Sequence, residues 1–248
     1  MNGIILYEGP SAIDGAPIVV IATGLAKRTL NEKTGDMVQT WVIRADVAPH
    51  EAVKSGEDAS VCGECPHRPA MGGACYVKTF QAPLSVFRAY QRGIYGRVTL
   101  EEAADLVAGR TVRLGSYGDP VAAPVTIWEA LVSKAKGWTG YTHQWRTAPD
   151  AFKRLCMASA DDNAEGFAAR AAGWRTFRIR TADEPVMPKL EIICPASDEA
   201  GMKTDCASCR ACMGTASKAK ASPVIIVHGS GARRFTLTRN GQALPVAA

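Results

Sequence analysis

Short apolar runs alternate with amphipathic stretches along most of this 248-residue chain. Pro17-Ile-Val-Val-Ile-Ala22 is uniformly apolar and predicts a buried strand. A turn at Lys33-Thr34-Gly35-Asp36 leads into a second strand over 37–44, rich in strand formers. Residues 83–91 follow helical spacing, with Pro83 suited to a first turn and Gly93 as a stop. Thr99-Leu-Glu-Glu102 is a capping box that opens a helix ending at Gly109. A strand over 111–115 follows, then a helix over 124–136 closed by Gly137. The same rhythm predicts strand 138–143, helix 149–155, strand 156–159, helix 163–172 and strand 174–181. Pro223-Val-Ile-Ile-Val-His228 reads as a final buried strand.

Strand and helix patterns that alternate with short connections predict an α/β fold built from parallel βα units. The expectation is a partial (βα)-type barrel of about six parallel strands, with an N-terminal β extension and two cysteine-rich loops. One domain is expected over 1–248. Residues 1–46 give the β extension and first strand, 47–181 the βα core, and 182–248 a cysteine-rich loop and the final strand.

Composition adds limits. The chain is 47% hydrophobic and 21% charged, which argues against extended disorder. No apolar run approaches the length of a membrane span, so no membrane partner is expected. The opening Met1-Asn-Gly-Ile-Ile-Leu-Tyr-Glu8 has no basic stretch leading into a long apolar one, and a cytoplasmic location is expected. Thiols stay reduced there, which favours metal ligation over disulfides. The net charge of +5 is modest. Basic and aromatic residues interleave over 174–180 and in Arg233-Arg234-Phe235. Such segments suit a nucleic acid backbone, but the alternation fits a half-exposed strand better.

Seven of the eight cysteines fall into two groups. The first is Cys62-Gly-Glu-Cys65 with Cys75 after nine intervening residues. The second is Cys194-Pro195 followed by Cys206-Ala-Ser-Cys209-Arg-Ala-Cys212. Cysteines two residues apart turn their sulfurs toward one centre, so both groups read as metal or iron–sulfur ligands. Four thiolates can close a coordination shell, whereas three leave a position open. For the second group two chemistries stand side by side. One is a closed four-thiolate zinc knuckle; the other is a cluster on the ferredoxin-type Cys-x2-Cys-x2-Cys run with Cys194 as remote ligand. For zinc on the first group, His67 would be the fourth ligand. A single site drawing on both groups is a third arrangement. Cys156, in Leu155-Cys156-Met157-Ala158, is expected in the core.

In parallel α/β folds, functional residues project from the carboxyl ends of the strands. Predicted exits carry Asp119, His143 with Trp145 and Arg146, Asp161 with Asp162, and His228. Taken singly, Asp119-Pro120 suits a turn and Asp161-Asp162 suits a helix cap.

Across residues 30–230, the order of features resembles a family of tailed-phage proteins called "gene product eighty-eight". The features are a strand, a three-cysteine loop ending in Cys75-Tyr76, the Gly118-Asp119 motif, Tyr141-Thr-His-Gln-Trp-Arg146 and the final Cys-Pro…Cys-x2-Cys-x2-Cys. The family in turn resembles radical S-adenosylmethionine enzymes, although the thiol spacing here, Cys-x2-Cys-x9-Cys, departs from their Cys-x3-Cys-x2-Cys. The resemblance implies a [4Fe-4S] cluster on Cys62, Cys65 and Cys75 in the host cytoplasm, with S-adenosylmethionine bound at Gly118 and Asp119. Arg146 is a further cofactor-binding candidate, since its guanidinium suits a carboxylate or phosphate. Asp119 and His143 would contact cofactor or substrate, and an electron donor would be a partner. The rival expectation is a zinc-stabilised, non-enzymatic module that binds nucleic acid or a host protein.

Overall fold

A computed structural model describes residues 2–26 and 32–241. The chain opens with an antiparallel meander of β1 (Gly3–Pro10), β2 (Pro17–Thr23) and β3 (Met37–Arg44). The apolar run of β2 is buried on both faces, from Ile18 to Ala22, and forms the centre of the core with Ile4, Val42 and Ile43. β4 (Gly96–Arg97) lies parallel to β1 at the edge. From β3 the pairing turns parallel: β3 to β5 (Thr111–Tyr117), then β5 to β6 (Gly137–Thr139).

A second sheet is parallel throughout. It holds β7 (Tyr141–Thr142), β8 (Met157–Ala160), β9 (Thr176–Arg180), β10 (Glu191–Ile193) and β11 (Ser222–Ile226), in the order β10-β11-β9-β8-β7. β6 and β7 are separated by Gly140 alone, so the strand expected over 138–143 is divided between the two sheets. Gly140 accordingly pairs with neither ladder neighbour in regular fashion: its N–H goes to Cys212 O at 3.3 Å and its carbonyl accepts from Met157 at 2.8 Å. The fold is therefore mixed α/β, with parallel segments running β3, β5, β6–β7, β8, β9, β11 and β10.

The helices are α1 (Pro49–Ser55), α2 (Ala59–Cys62), α3 (Ala82–Gln91), α4 (Leu100–Leu106), α5 (Val125–Val132), α6 (Phe152–Leu155), α7 (Asn163–Ala171), α8 (Cys206–Cys209) and α9 (Ala232–Arg239). Thr99 and Glu102 form the expected capping box at α4. Cys156 is fully buried, as its apolar neighbours require. The expected cysteine loops are partly helical. Cys62 ends α2, and Cys206 and Cys209 occupy α8, where Asp205 caps the turn by accepting from Ser208 N–H. No helix among the described residues is long and apolar enough to cross a membrane.

The basic strand has internal tasks, while the basic C-terminal segment buries only its aromatic residue. In β9, Arg178 is 1% exposed and forms a two-pronged pair with Glu191, itself 1% exposed. Arg180 pairs with Glu199, and Arg175 donates to the carbonyls of Ala211, Gly214 and Ala221. Arg233-Arg234-Phe235, expected as half-exposed strand, lies in α9, with Phe235 buried and its ring 5.7 Å from that of His67. Burial of that single aromatic on one helical face overrides the local alternation. The arginines of β9 are thus turned inward rather than offered to a nucleic acid.

Candidate metal centres at the carboxyl ends of the parallel strands

Three strand exits converge. Asp119 follows β5, and its N–H donates to Val61 O at 2.6 Å, which brings α2 and Cys62 to this exit. One Asp119 carboxylate oxygen accepts from Val121 N–H at 3.0 Å. The other accepts from the Thr142 hydroxyl and from His143 N–H, both at 3.0 Å, so Asp119 ties the β5 exit to the β7 exit. Burial raises its carboxyl pKa, and the Val121, Thr142 and His143 donors pull the other way. With three internal donors, Asp119 is a brace. Asp119→Asn puts an amide NH2 where one acceptor stood, and the expected cost is about 1–3 kcal/mol. Thermal unfolding reads it; an unchanged midpoint contradicts the bracing role.

Gly118, beside it, has φ of 79°, and a Cβ there would lie 2.4 Å from Val42 O. Only glycine takes that conformation against the β3 backbone without strain. Arg146 stands outside this cluster. It stacks on Trp145 at 4.1 Å and pairs with Glu165 at 2.8 Å, with its side chain 55% exposed.

The first cysteine group is wound into two tight turns. Cys65 N–H donates to Cys62 O at 3.3 Å and Arg68 N–H to Cys65 O at 3.2 Å. The chain then doubles back, so that Cys75 N–H meets His67 O at 2.8 Å. Gly73 permits that return, since a Cβ would lie 2.2 Å from Pro66 O. Arg68 fixes the loop from inside, donating to buried Asp58 and to Gly56 O, each at 2.7 Å, and to Gly63 O at 3.1 Å. Gln144, just past β7, donates to Cys62 O at 3.1 Å and accepts from Glu64 N–H at 3.3 Å.

These contacts place Cys62, Cys65 and Cys75 in one shared environment, none of them in a disulfide. Burial drives the Cys62 thiol well above its usual pKa, and the nearby Cys65, Asp58, Cys75 and Asp119 push it further. Burial also raises Cys75, with Cys65 and Asp58 adding to it. The Tyr117 hydroxyl borders Cys62 and Cys75, is buried, and has no hydrogen-bond partner.

His143 and His67 both face Asp161. His67 Nε2 is 2.8 Å from Asp161 Oδ1, and His143 Nε2 is 3.7 Å from Asp161 Oδ2. Burial disfavours ionisation of Asp161, but the two imidazoles outweigh it and hold the carboxyl well below the usual range. Burial likewise opposes charge on His143, and Asp161 and Cys65 outweigh it, raising the imidazole well above its ordinary value. His67, expected as the fourth ligand of a zinc on the first group, turns instead to Asp161. Of the two acidic residues expected as a cap, Asp162 does cap α7 by accepting from Glu165 N–H, and Asp161 does not.

The second group is assembled by β10, β11 and the α8 turn. Cys194 leaves β10 with its N–H on Val224 O at 2.8 Å. Burial lifts the Cys194 thiol to about 11, with Cys206 and Cys209 contributing. Cys212 is raised further by burial; the Tyr141 hydroxyl opposes this, while Cys194, Cys206 and Cys209 reinforce it. Cys194 and Cys212 each feel Cys206 and Cys209, which puts the four thiols in one neighbourhood.

Arg113 and Tyr117 both belong to β5, on either side of a shift in its register with β3 between Gln39 and Trp41. Tyr117 reaches the first group; Arg113 lies between the two. It donates to Tyr76, next to Cys75, at 3.2 Å and approaches the Tyr141 ring at 5.9 Å. Burial works against its charge, and Tyr76, Tyr141 and Cys206 more than compensate.

Among the described residues, the one set of three or more His, Cys, Asp or Glu donors mutually within 4.8 Å is His67, His143 and Asp161. The spacing of the cysteines pointed to the thiol groups, but Asp58, Arg68, Tyr117 and Gln144 carry no local signal for their roles, since their partners lie elsewhere in the chain. No protein family matches the chain by its sequence, and no curated protein or solved structure matches it.

Proposed function

We propose that this protein is an iron–sulfur metalloprotein of phage type. Its parallel segments form a partial (βα) barrel, and Cys62, Cys65 and Cys75 hold a cluster with one coordination position open at the mouth. Cys194, Cys206, Cys209 and Cys212 hold a second, closed centre. The observation that carries the reading is the gathering of three reduced thiols beside the exits of β5, β7 and β8, against a buried Tyr117 hydroxyl that lacks a partner.

The Cys206-x2-Cys209-x2-Cys212 run with its remote Cys194 is what favours a cluster over zinc for the second group, since it has the ferredoxin-type spacing. Neutral buried thiols must lose protons on binding, and Arg68 beside Cys62 and Cys65 offsets the charge that results.

A cluster at the mouth would supply one-electron chemistry, for which S-adenosylmethionine is the expected cofactor, although Asp119 is already committed to three internal donors and Arg146 to Glu165. The chain's own residues would do the positioning. Asp119 and Gln144 fix the thiol loop against the strand exits, and the unpartnered Tyr117 hydroxyl would be a hydrogen-bond donor available on the side of Cys62 and Cys75. In reduced protein, S-adenosylmethionine or cyanide is expected to shift the electron paramagnetic resonance g-values of the mouth cluster. Spectra unchanged by both contradict an open position.

A further inference from the structure

His67, His143 and Asp161 come from three segments, the thiol loop and the exits of the adjacent parallel strands β7 and β8. Their side chains are 16%, 20% and 16% exposed, so the group is shielded but reachable. Each donor's backbone is pinned. Cys75 N–H holds His67 O, Asp119 holds His143 N–H, and Glu165 holds Asp161 N–H at 2.8 Å. The imidazoles meet edge to face at 5.4 Å, and Phe235 backs His67. Among these atoms His143 Nε2 is buried and has no hydrogen-bond partner.

We propose that His67, His143 and Asp161 form a separate site for one divalent transition-metal ion of the Mn(II) or Fe(II) kind. Two imidazoles and one carboxylate with the remaining positions open are a donor set that such ions take. The three ligand atoms already lie within 4.8 Å of one another, close enough to share an ion after side-chain adjustment. A simple ion pair gives His67 a hydrogen bond to Asp161 but leaves His143 Nε2 at 3.7 Å from the carboxylate with no hydrogen bond, whereas a bound ion engages both rings. Hard and borderline donors also set this site apart from the thiols, which favour softer ions. Three protein ligands leave room for water or a substrate oxygen. The site does not depend on the iron–sulfur reading.

Mn2+ is the probe, because carboxylate and imidazole hold it and thiolates hold it poorly. Anaerobic full-length protein is titrated with Mn2+, and free ion is followed by its paramagnetic resonance signal. One equivalent is expected to bind. Asp161→Asn and His67→Gln, checked for folding by circular dichroism, are each expected to weaken binding at least about tenfold, since loss of a ligand exceeds loss of a supporting contact. Acid-labile sulfide, measured on the same samples, is expected to be unchanged by either substitution. Absence of Mn2+ binding to the wild-type protein at millimolar concentration overturns the proposal, as does wild-type affinity retained in both variants. Loss of sulfide together with Mn2+ shows one shared centre and overturns a separate site. A protein that never contained sulfide still gives a readable Mn2+ result, so the two readings fail independently.

Discussion

Arg178→Met is expected to lower the unfolding free energy by about 3–5 kcal/mol, the range for stranding one member of a buried ion pair. Arg178 and Glu191 are each 1% exposed and joined by two bonds of 2.8 Å. Glu191 also accepts from Met187 N–H at 3.0 Å, and Arg178 donates to Pro185 O at 2.9 Å. Without the guanidinium, a carboxylate remains in a site with little water. Arg178→Met/Glu191→Leu together is expected to cost less than Arg178→Met alone, because the buried carboxylate is removed with its partner and only the longer 3.8 Å contact to the less buried Arg170 is lost. Burial raises the Glu191 pKa, but Arg178 outweighs it and holds the carboxyl below its ordinary value. The pair therefore stabilises the fold at neutral pH and loses that contribution as pH falls below the glutamate range. Glu191→Gln removes that part of the acid dependence. Urea denaturation of the single and double variants checks the set; single variants within about 1 kcal/mol of wild type contradict it. Because Glu191 begins β10 and Cys194 directly follows it, Arg178→Met is also expected to weaken loading of the second centre.

Cys62→Ser or Cys75→Ser is expected to remove one cluster, about four irons, and spare the other. Cys206→Ser or Cys212→Ser is expected to do the reverse. The two groups have their own neighbours: Tyr117, Asp58 and Asp119 for the first, Tyr141 and Arg113 for the second. Serine keeps the size but not the soft donor, so the protein should stay folded. Iron and sulfide per chain check this. Equal loss of all iron from every variant contradicts two centres and points to a single site drawing on both groups.

The strands of the core were legible where apolar runs were long enough to need burial. β2, β3, β5 and β11 lie where the pattern predicted them, and Gly140 alone divided the strand expected over 138–143. β10 was not legible. It has three residues, and its buried glutamate makes sense only against Arg178 of β9. α1 was also missed, since it buries only Pro49 and Ala52 and so shows no apolar stripe. α9 carries a basic–aromatic alternation that local propensity cannot assign, and Phe235 settles it through the contact with His67.

For the site, cysteine spacing revealed the two groups, because ligand geometry is encoded within a few residues. The His67–Asp161 contact spans 94 positions and is a product of the fold. Asp119, read as a ligand contact because it follows a glycine at a strand exit, is committed to three internal donors. The signal placed the residue correctly at the exit, yet a single sequence cannot tell a brace from a ligand.

The central claim is that thiolates in this chain hold inorganic sulfide and iron. It is tested most directly by iron and acid-labile sulfide analysis of protein purified without oxygen, together with its visible spectrum. The expected result is a brown protein with broad sulfur-to-iron absorbance and sulfide roughly equal to iron, as cluster stoichiometry requires. A colourless protein with no sulfide and stoichiometric zinc, after expression with ample iron, contradicts the account.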